Sequence, residues 1–240
     1  MHISLSRLAL ILTLLLVILL SWYYIVFAMT MNMEPVTQWS IADIAILFCM
    51  WAIMMAGMML PSAMPVILLV EQVNKKRKLR RASYTHTLFF VIGYLLIWGL
   101  YSAVITIIQY TLHHWALLSP MMSSANIAFS SAILLAAGIY QLTPLKQRCL
   151  QLCRSPLSVI SSQWKEGKLG AILLGINHGQ YCVGCCWILM AILFVTGVMN
   201  LKWILLLSLI VLVEKVLPYP EVASKLLGGA LILLALSYWV

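Results

Sequence analysis

Apolar runs too long for the interior of a soluble domain dominate this chain and restrict what it can fold into. Leu8 to Leu20 holds thirteen residues in which Thr13 is the one polar side chain. A transmembrane helix needs about 20 mostly apolar residues. On that scale, spans read near 8 to 29, 42 to 68, 88 to 110, 127 to 143, 170 to 197, 202 to 217 and 224 to 240, seven in all with the last one short. A membrane β-barrel would instead show strands of about 10 residues alternating polar and apolar, and continuous runs contradict that. The expected fold is all-α, a polytopic transmembrane helical bundle. No loop is long enough for a soluble domain, so residues 1–240 read as a single integral membrane domain.

The net charge of +9 invites a nucleic-acid reading, but the distribution of charge removes it. With the N-terminus in the cytoplasm, Arg7, the block from Lys75 to Arg81, the loop bearing Lys146, Arg148, Arg154, Lys165 and Lys168, and also Lys215 and Lys225, fall inside. Lys202 is then the single outside residue of the 15 basic ones. Excess Lys and Arg on cytoplasmic loops is a topology signal, and attraction to anionic lipid headgroups is its natural extra. The partner it implies is the lipid bilayer, and no nucleic acid. Leu8 to Met29 is too long for a signal peptide and has no small-residue cleavage pattern before Trp22-Tyr23-Tyr24. Of the six cysteines, four lie in expected spans and two in a cytoplasmic loop, where thiols stay reduced.

The chemistry concentrates in His178-Gly-Gln-Tyr-Cys182-Val-Gly-Cys185-Cys186-Trp187, inside the fifth span. A helix turns about 100° per residue. With His178 at zero, Cys185 falls near −20°, Cys182 near +40° and Cys186 near +80°, roughly one face. Polar groups inside a membrane mark functional sites by default, although cysteine is also a small residue that packs helices well. The second span, Asp43 to Pro65, carries six methionines in the fifteen positions from Met50 to Met64. There Met50, Met54, Met58 and Asp43 share a stripe within about 80° of arc. Thioether and thiolate sulfur are soft donors that favour Cu(I), while methionine is equally a flexible gap-filler. Counted from the outside, Met54 and Cys182 come at about the same depth, so the two helices are expected to face each other near the midplane at 1.5 Å per residue.

Other residues extend this pattern. Cys149 and Cys153, spaced i, i+4 on a short amphipathic helix expected on the cytoplasmic face and stopped near Pro156, fit a cytoplasmic relay. Pro61 and Pro65 are expected to break the second helix in its inner half, with freed backbone groups lining protein or water. Glu214 and Lys215 read as an ion pair at the interface. The same His and Cys ligands suit a closed tetrahedral zinc site, and it is the methionines that tilt the choice to copper. Cys182-Val-Gly-Cys185 also matches the thiol redox motif, so a membrane thiol-disulfide oxidoreductase stands as an alternative, as does a non-catalytic subunit of a membrane complex.

From Trp51 to Lys215 the chain resembles a bacterial domain-of-unknown-function family described as predicted metal-binding integral membrane proteins. The residues that carry the resemblance are Met54-Met55 and Met58-Met59-Leu-Pro61-Ser62, Tyr140-Gln-Leu-Thr-Pro144-Leu-Lys146 with Cys149, Cys153-Arg154 and Pro156, Gly175 with His178-Gly179, Tyr181-Cys182-Val-Gly184-Cys185-Cys186-Trp187, and Gly197-Val-Met199-Asn200 with Glu214-Lys215. The N-terminal helix and the C-terminus lie outside it. The combined expectation is a multi-pass protein of the bacterial inner membrane that binds Cu(I), with zinc the second choice, for delivery or passage across that membrane. The primary ligands would be His178, Cys182, Cys185 and Cys186, the secondary ones Met50, Met54 and Met58, and the relay Cys149 and Cys153. A membrane or metallochaperone protein would be the partner. Nothing resembles a nucleotide-binding loop, so any transport would be passive or driven by a partner.

Overall fold

The computed structural model describes residues 5–28, 39–81, 84–115, 126–155 and 164–238. Among them there is no strand. The elements are α1 (Leu5–Tyr23), continued by a π-helical turn (Tyr24–Ala28), then α2 (Ile41–Leu79), α3 (Leu88–His114), α4 (Ile127–Leu142), α5 (Pro144–Arg154), α6 (Gly167–Ala191), α7 (Leu193–Thr196), α8 (Leu201–Val216) and α9 (Pro220–Ser237). The all-α expectation holds.

Of the seven expected spans, five or six meet the length and apolarity of a crossing among the described residues. Among the described residues, five helices are long and apolar enough to cross a membrane, and α4 with α5 makes a sixth if the pair, bent by 65°, is taken as one span. The segment read as a span at 202 to 217 is α8, of 16 residues, about 24 Å long at 1.5 Å per residue and short of a hydrocarbon core of about 30 Å. Leucines such as Leu12, Leu16, Leu19, Leu226 and Leu233 stay exposed on α1 and α9, as lipid-facing positions would.

Helix α2 begins at a capping box in which Ser40 Oγ accepts from the Asp43 backbone N–H while the Asp43 carboxylate accepts from the Ser40 N–H. Asp43 is therefore used by the helix start and is not a donor on the methionine stripe. The helix then runs unbroken through Pro61 and Pro65, against the expected break. Proline at 61 and 65 takes the N–H partner from the Gly57 and Pro61 carbonyls and not from that of Met59, which here accepts from Ser62 Oγ at 2.9 Å and from Tyr94 OH at 3.2 Å.

Small residues set the helix crossings, as expected where apolar burial against lipid drives little association. At the α3–α6 crossing a Cβ on Gly93 would lie 2.1 Å from the Ile172 carbonyl oxygen, and one on Gly175 2.1 Å from that of Phe90. Gly138 and Gly228 pack α4 on α9, and Gly57 receives Ser21 of α1. Helix α2 packs chiefly on α3, α1 and α8, and α6 chiefly on α3 and α5. At α5, Thr143 caps the N-terminus with Pro144 in the first turn, and Lys146, Leu150 and Cys153 form its buried face. The helix ends at Arg154, and Pro156, the expected stop, lies outside the described residues.

Candidate metal centre

Four helices meet at one sulfur. Cys182 Sγ, on α6, lies 2.9 Å from Lys215 Nζ of α8 and 3.1 Å from Tyr94 OH of α3. Lys215 Nζ also donates to Ser62 Oγ of α2 at 2.9 Å. Through Lys215 and Tyr94, α2 reaches Cys182 without packing closely on α6. A fifth helix, α5, packs on α6 and adds the buried Cys153. Cys149, one turn earlier on α5, sits over Gly184, where its sulfur would be 3.0 Å from an added Cβ. Any larger residue at 184 would displace Cys149.

The i, i+3 and i, i+4 geometry of a helix explains the remaining thiols. Cys185 and Cys186 turn back along α6 and donate to the Cys182 carbonyl at 3.1 and 2.9 Å. His178 is buried one turn before Cys182, with Phe90 and Tyr94 ring centroids both 5.8 Å away. Its Nδ1 has no hydrogen-bond partner. Buried polar atoms are nearly always satisfied, so such an orphan calls for an explanation. Among the described residues, no three His, Cys, Asp or Glu side chains converge closely enough to hold a metal ion as they stand. The donors are soft but not drawn together: Cys185 and Cys186 are held on backbone and Lys215 stands against Cys182.

The other predicted residues fall at a distance or elsewhere. Met50, Met54 and Met58 are fully buried. The part of α2 level with Cys182 is Met59 to Ser62, however, not Met54. From Met59, Met54 lies about 7.5 Å and Met50 about 13.5 Å along the helix axis. The stripe runs outward from the centre rather than facing it.

The expected Glu214–Lys215 pair is also absent. Neighbours on a helix project about 100° apart, so Glu214 turns instead to Lys146 Nζ at 2.7 Å, with both side chains buried, and also accepts from Gln141 Nε2 at 3.2 Å and Ser224 Oγ at 3.1 Å. That network ties α4, α5, α8 and α9 together beside the thiols.

The depth differs from expectation as well. Lys215 is the penultimate residue of α8, and Tyr140, near the end of α4, donates to the Gly184 carbonyl. The thiols therefore lie level with the ends of two short helices, beside the polar residues of α5, among them Gln151 bonded to Glu221 at 3.1 Å. Tyr94, Ser62 and Lys215 escaped the sequence reading as site residues. The available signal was a lysine near the end of an apolar segment whose adjacent acid projects elsewhere.

No curated protein and no solved structure matches the chain. A family profile described as PpoB2, copper chaperone, matches residues 48–238. It covers most of the chain, extends beyond the resemblance stated above to include α9, and leaves α1 outside. Its description fits the soft donors gathered at Cys182. The chain belongs to the PpoB2 copper-chaperone family.

Proposed function

We propose that the protein binds Cu(I) at Cys182 and hands it on within, or across, the bacterial inner membrane, with its N-terminus in the cytoplasm. The observation that carries this reading is the packing of α5 on α6, which sets the Cys149 sulfur over Gly184 and buries Cys153 in one core with Cys182, Cys185 and Cys186. Cu(I) accepts few, soft ligands, so two or three thiolates suffice where a closed tetrahedral zinc site would need four donors. Cys182 and Cys153 form the first pair. Cys185 and Cys186 join by turning off the Cys182 carbonyl, and His178 offers its unpartnered Nδ1 one turn away. Cys149 over Gly184 is the next sulfur along α5, and Met58, Met54 and Met50 continue as weak donors along α2. Low-coordinate sites of this kind release as well as bind, which suits transfer to a membrane or metallochaperone partner.

The test is Cu(I) competition against a chromogenic chelator, with the full chain in detergent. Cys182→Ala and Cys153→Ala should each weaken binding by roughly tenfold or more, and Met50→Leu far less. Unaltered binding in Cys182→Ala would remove the proposal.

A further inference from the structure

Lys215 is half-buried, and its ammonium is turned inward onto Cys182 Sγ and Ser62 Oγ, both at 2.9 Å. Among the described residues the ion pairs are Arg77–Glu166 and Lys146–Glu214, so no carboxylate lies within 4.0 Å of Lys215 by the same measure. The nearby acid, Glu214, already has Lys146. Charge removed from water is costly unless it is paired, and the group that faces Lys215 is a thiol.

Resting on the copper reading above, we infer that Lys215 sets the charge of the ion the centre accepts, selecting a monovalent soft ion over a divalent one. In a site partly removed from water, the balance of charge decides which ion is held. Thiols bind metal as thiolates. In the first pair Cys182 and Cys153 as thiolates carry two negative charges, Cys185 and Cys186 stay neutral thiols on the Cys182 carbonyl, and the Lys215 ammonium returns one. A monovalent ion brings the assembly to neutrality, whereas a divalent ion leaves one uncompensated positive charge beside the ammonium. Without Lys215 the order inverts, because two thiolates then neutralise a divalent ion and leave a monovalent one with excess negative charge. Ser62 positions the ammonium by accepting its second hydrogen bond. Lys215 is thus a positioning and selecting residue that touches a ligand and is not itself a donor to the metal.

The test measures Cu(I) and Zn(II) affinities side by side, each by chelator competition, on the folded full chain in detergent. The variants are Lys215→Gln, which keeps a hydrogen-bond donor without the charge, Lys215→Met, and Lys215→Arg, which keeps the charge. The ratio of Cu(I) to Zn(II) affinity should fall by roughly tenfold or more in Gln and Met and stay within about threefold in Arg. A ratio unchanged in Gln and Met, in protein that still binds Cu(I) through Cys182, overturns the inference and leaves the copper reading standing. A wild type that binds no Cu(I) overturns both. A merely structural lysine would lower both affinities together and leave the ratio where it was.

Discussion

Replacing Gly175 by alanine tests whether the α3–α6 crossing is what holds Tyr94 at Cys182. An added Cβ would lie 2.1 Å from the Phe90 carbonyl oxygen and 3.0 Å from the Tyr94 backbone nitrogen, where ordinary contact begins at 3.4 Å. Backbone, not a flexible side-chain tip, is in the way, so the helices must part by about 1.3 Å. Overpacking of this kind costs about 1–3 kcal/mol. Against it stands the helix-propensity gain of alanine over glycine, about 1 kcal/mol, which leaves a net loss of up to about 2 kcal/mol.

Gly99, also within a helix, supplies the control. A Cβ there meets nothing within 4 Å, so Gly99→Ala keeps the gain, up to about 1 kcal/mol, with no clash to offset it. Thermal unfolding in detergent should therefore order the proteins as Gly99→Ala, wild type, Gly175→Ala, from most to least stable. The parting also carries Tyr94 away from Cys182, now 3.1 Å apart, and Cu(I) affinity should drop in Gly175→Ala alone. A Gly175→Ala protein as stable as Gly99→Ala, with unchanged copper affinity, would refute the reasoning.

Two further outcomes follow from the packing. Lys146→Ala leaves the Glu214 carboxylate buried without its cation and should cost about 3–5 kcal/mol, seen as a fall of roughly 6–20 °C in the unfolding midpoint; the double variant Lys146→Met/Glu214→Leu should recover most of it, and equal losses in the single and double variants would count against the buried pair. Ser40→Ala removes half of the α2 capping box and should cost about 1 kcal/mol without altering Cu(I) affinity, which chelator competition on the same preparation checks.

The helices were legible because hydrocarbon runs of this length leave few alternatives, and Leu8 to Leu20 or Leu88 to His114 would be read as helical without a structure. Grouping His178, Cys182, Cys185 and Cys186 on one face needed only helical periodicity, but where those side chains point did not follow from it. Cys185 and Cys186 hydrogen-bond backward to the Cys182 carbonyl, a local choice that spacing does not reveal. Cross-helix partners were harder still. Lys215 adjoins Glu214 in sequence, and pairing them was the natural reading, yet a 100° step between neighbours sends one to Lys146 and the other to Cys182. The depth error has a similar origin. Counting residues from an outer end treats all spans as equal slabs, whereas α8 is 16 residues long and α2 is 39. A proline pair in a helix likewise signals a disturbance without saying whether the helix will continue, as α2 does through Pro61 and Pro65.

The most direct test of a Cu(I) centre at Cys182 is X-ray absorption on the purified full chain after Cu(I) loading and removal of loosely held metal. Near-stoichiometric copper in the reduced state, with a first shell of sulfur that is lost in Cys182→Ala/Cys153→Ala, is the predicted result. Substoichiometric copper in the wild type, or a nitrogen and oxygen shell indifferent to those substitutions, would contradict it.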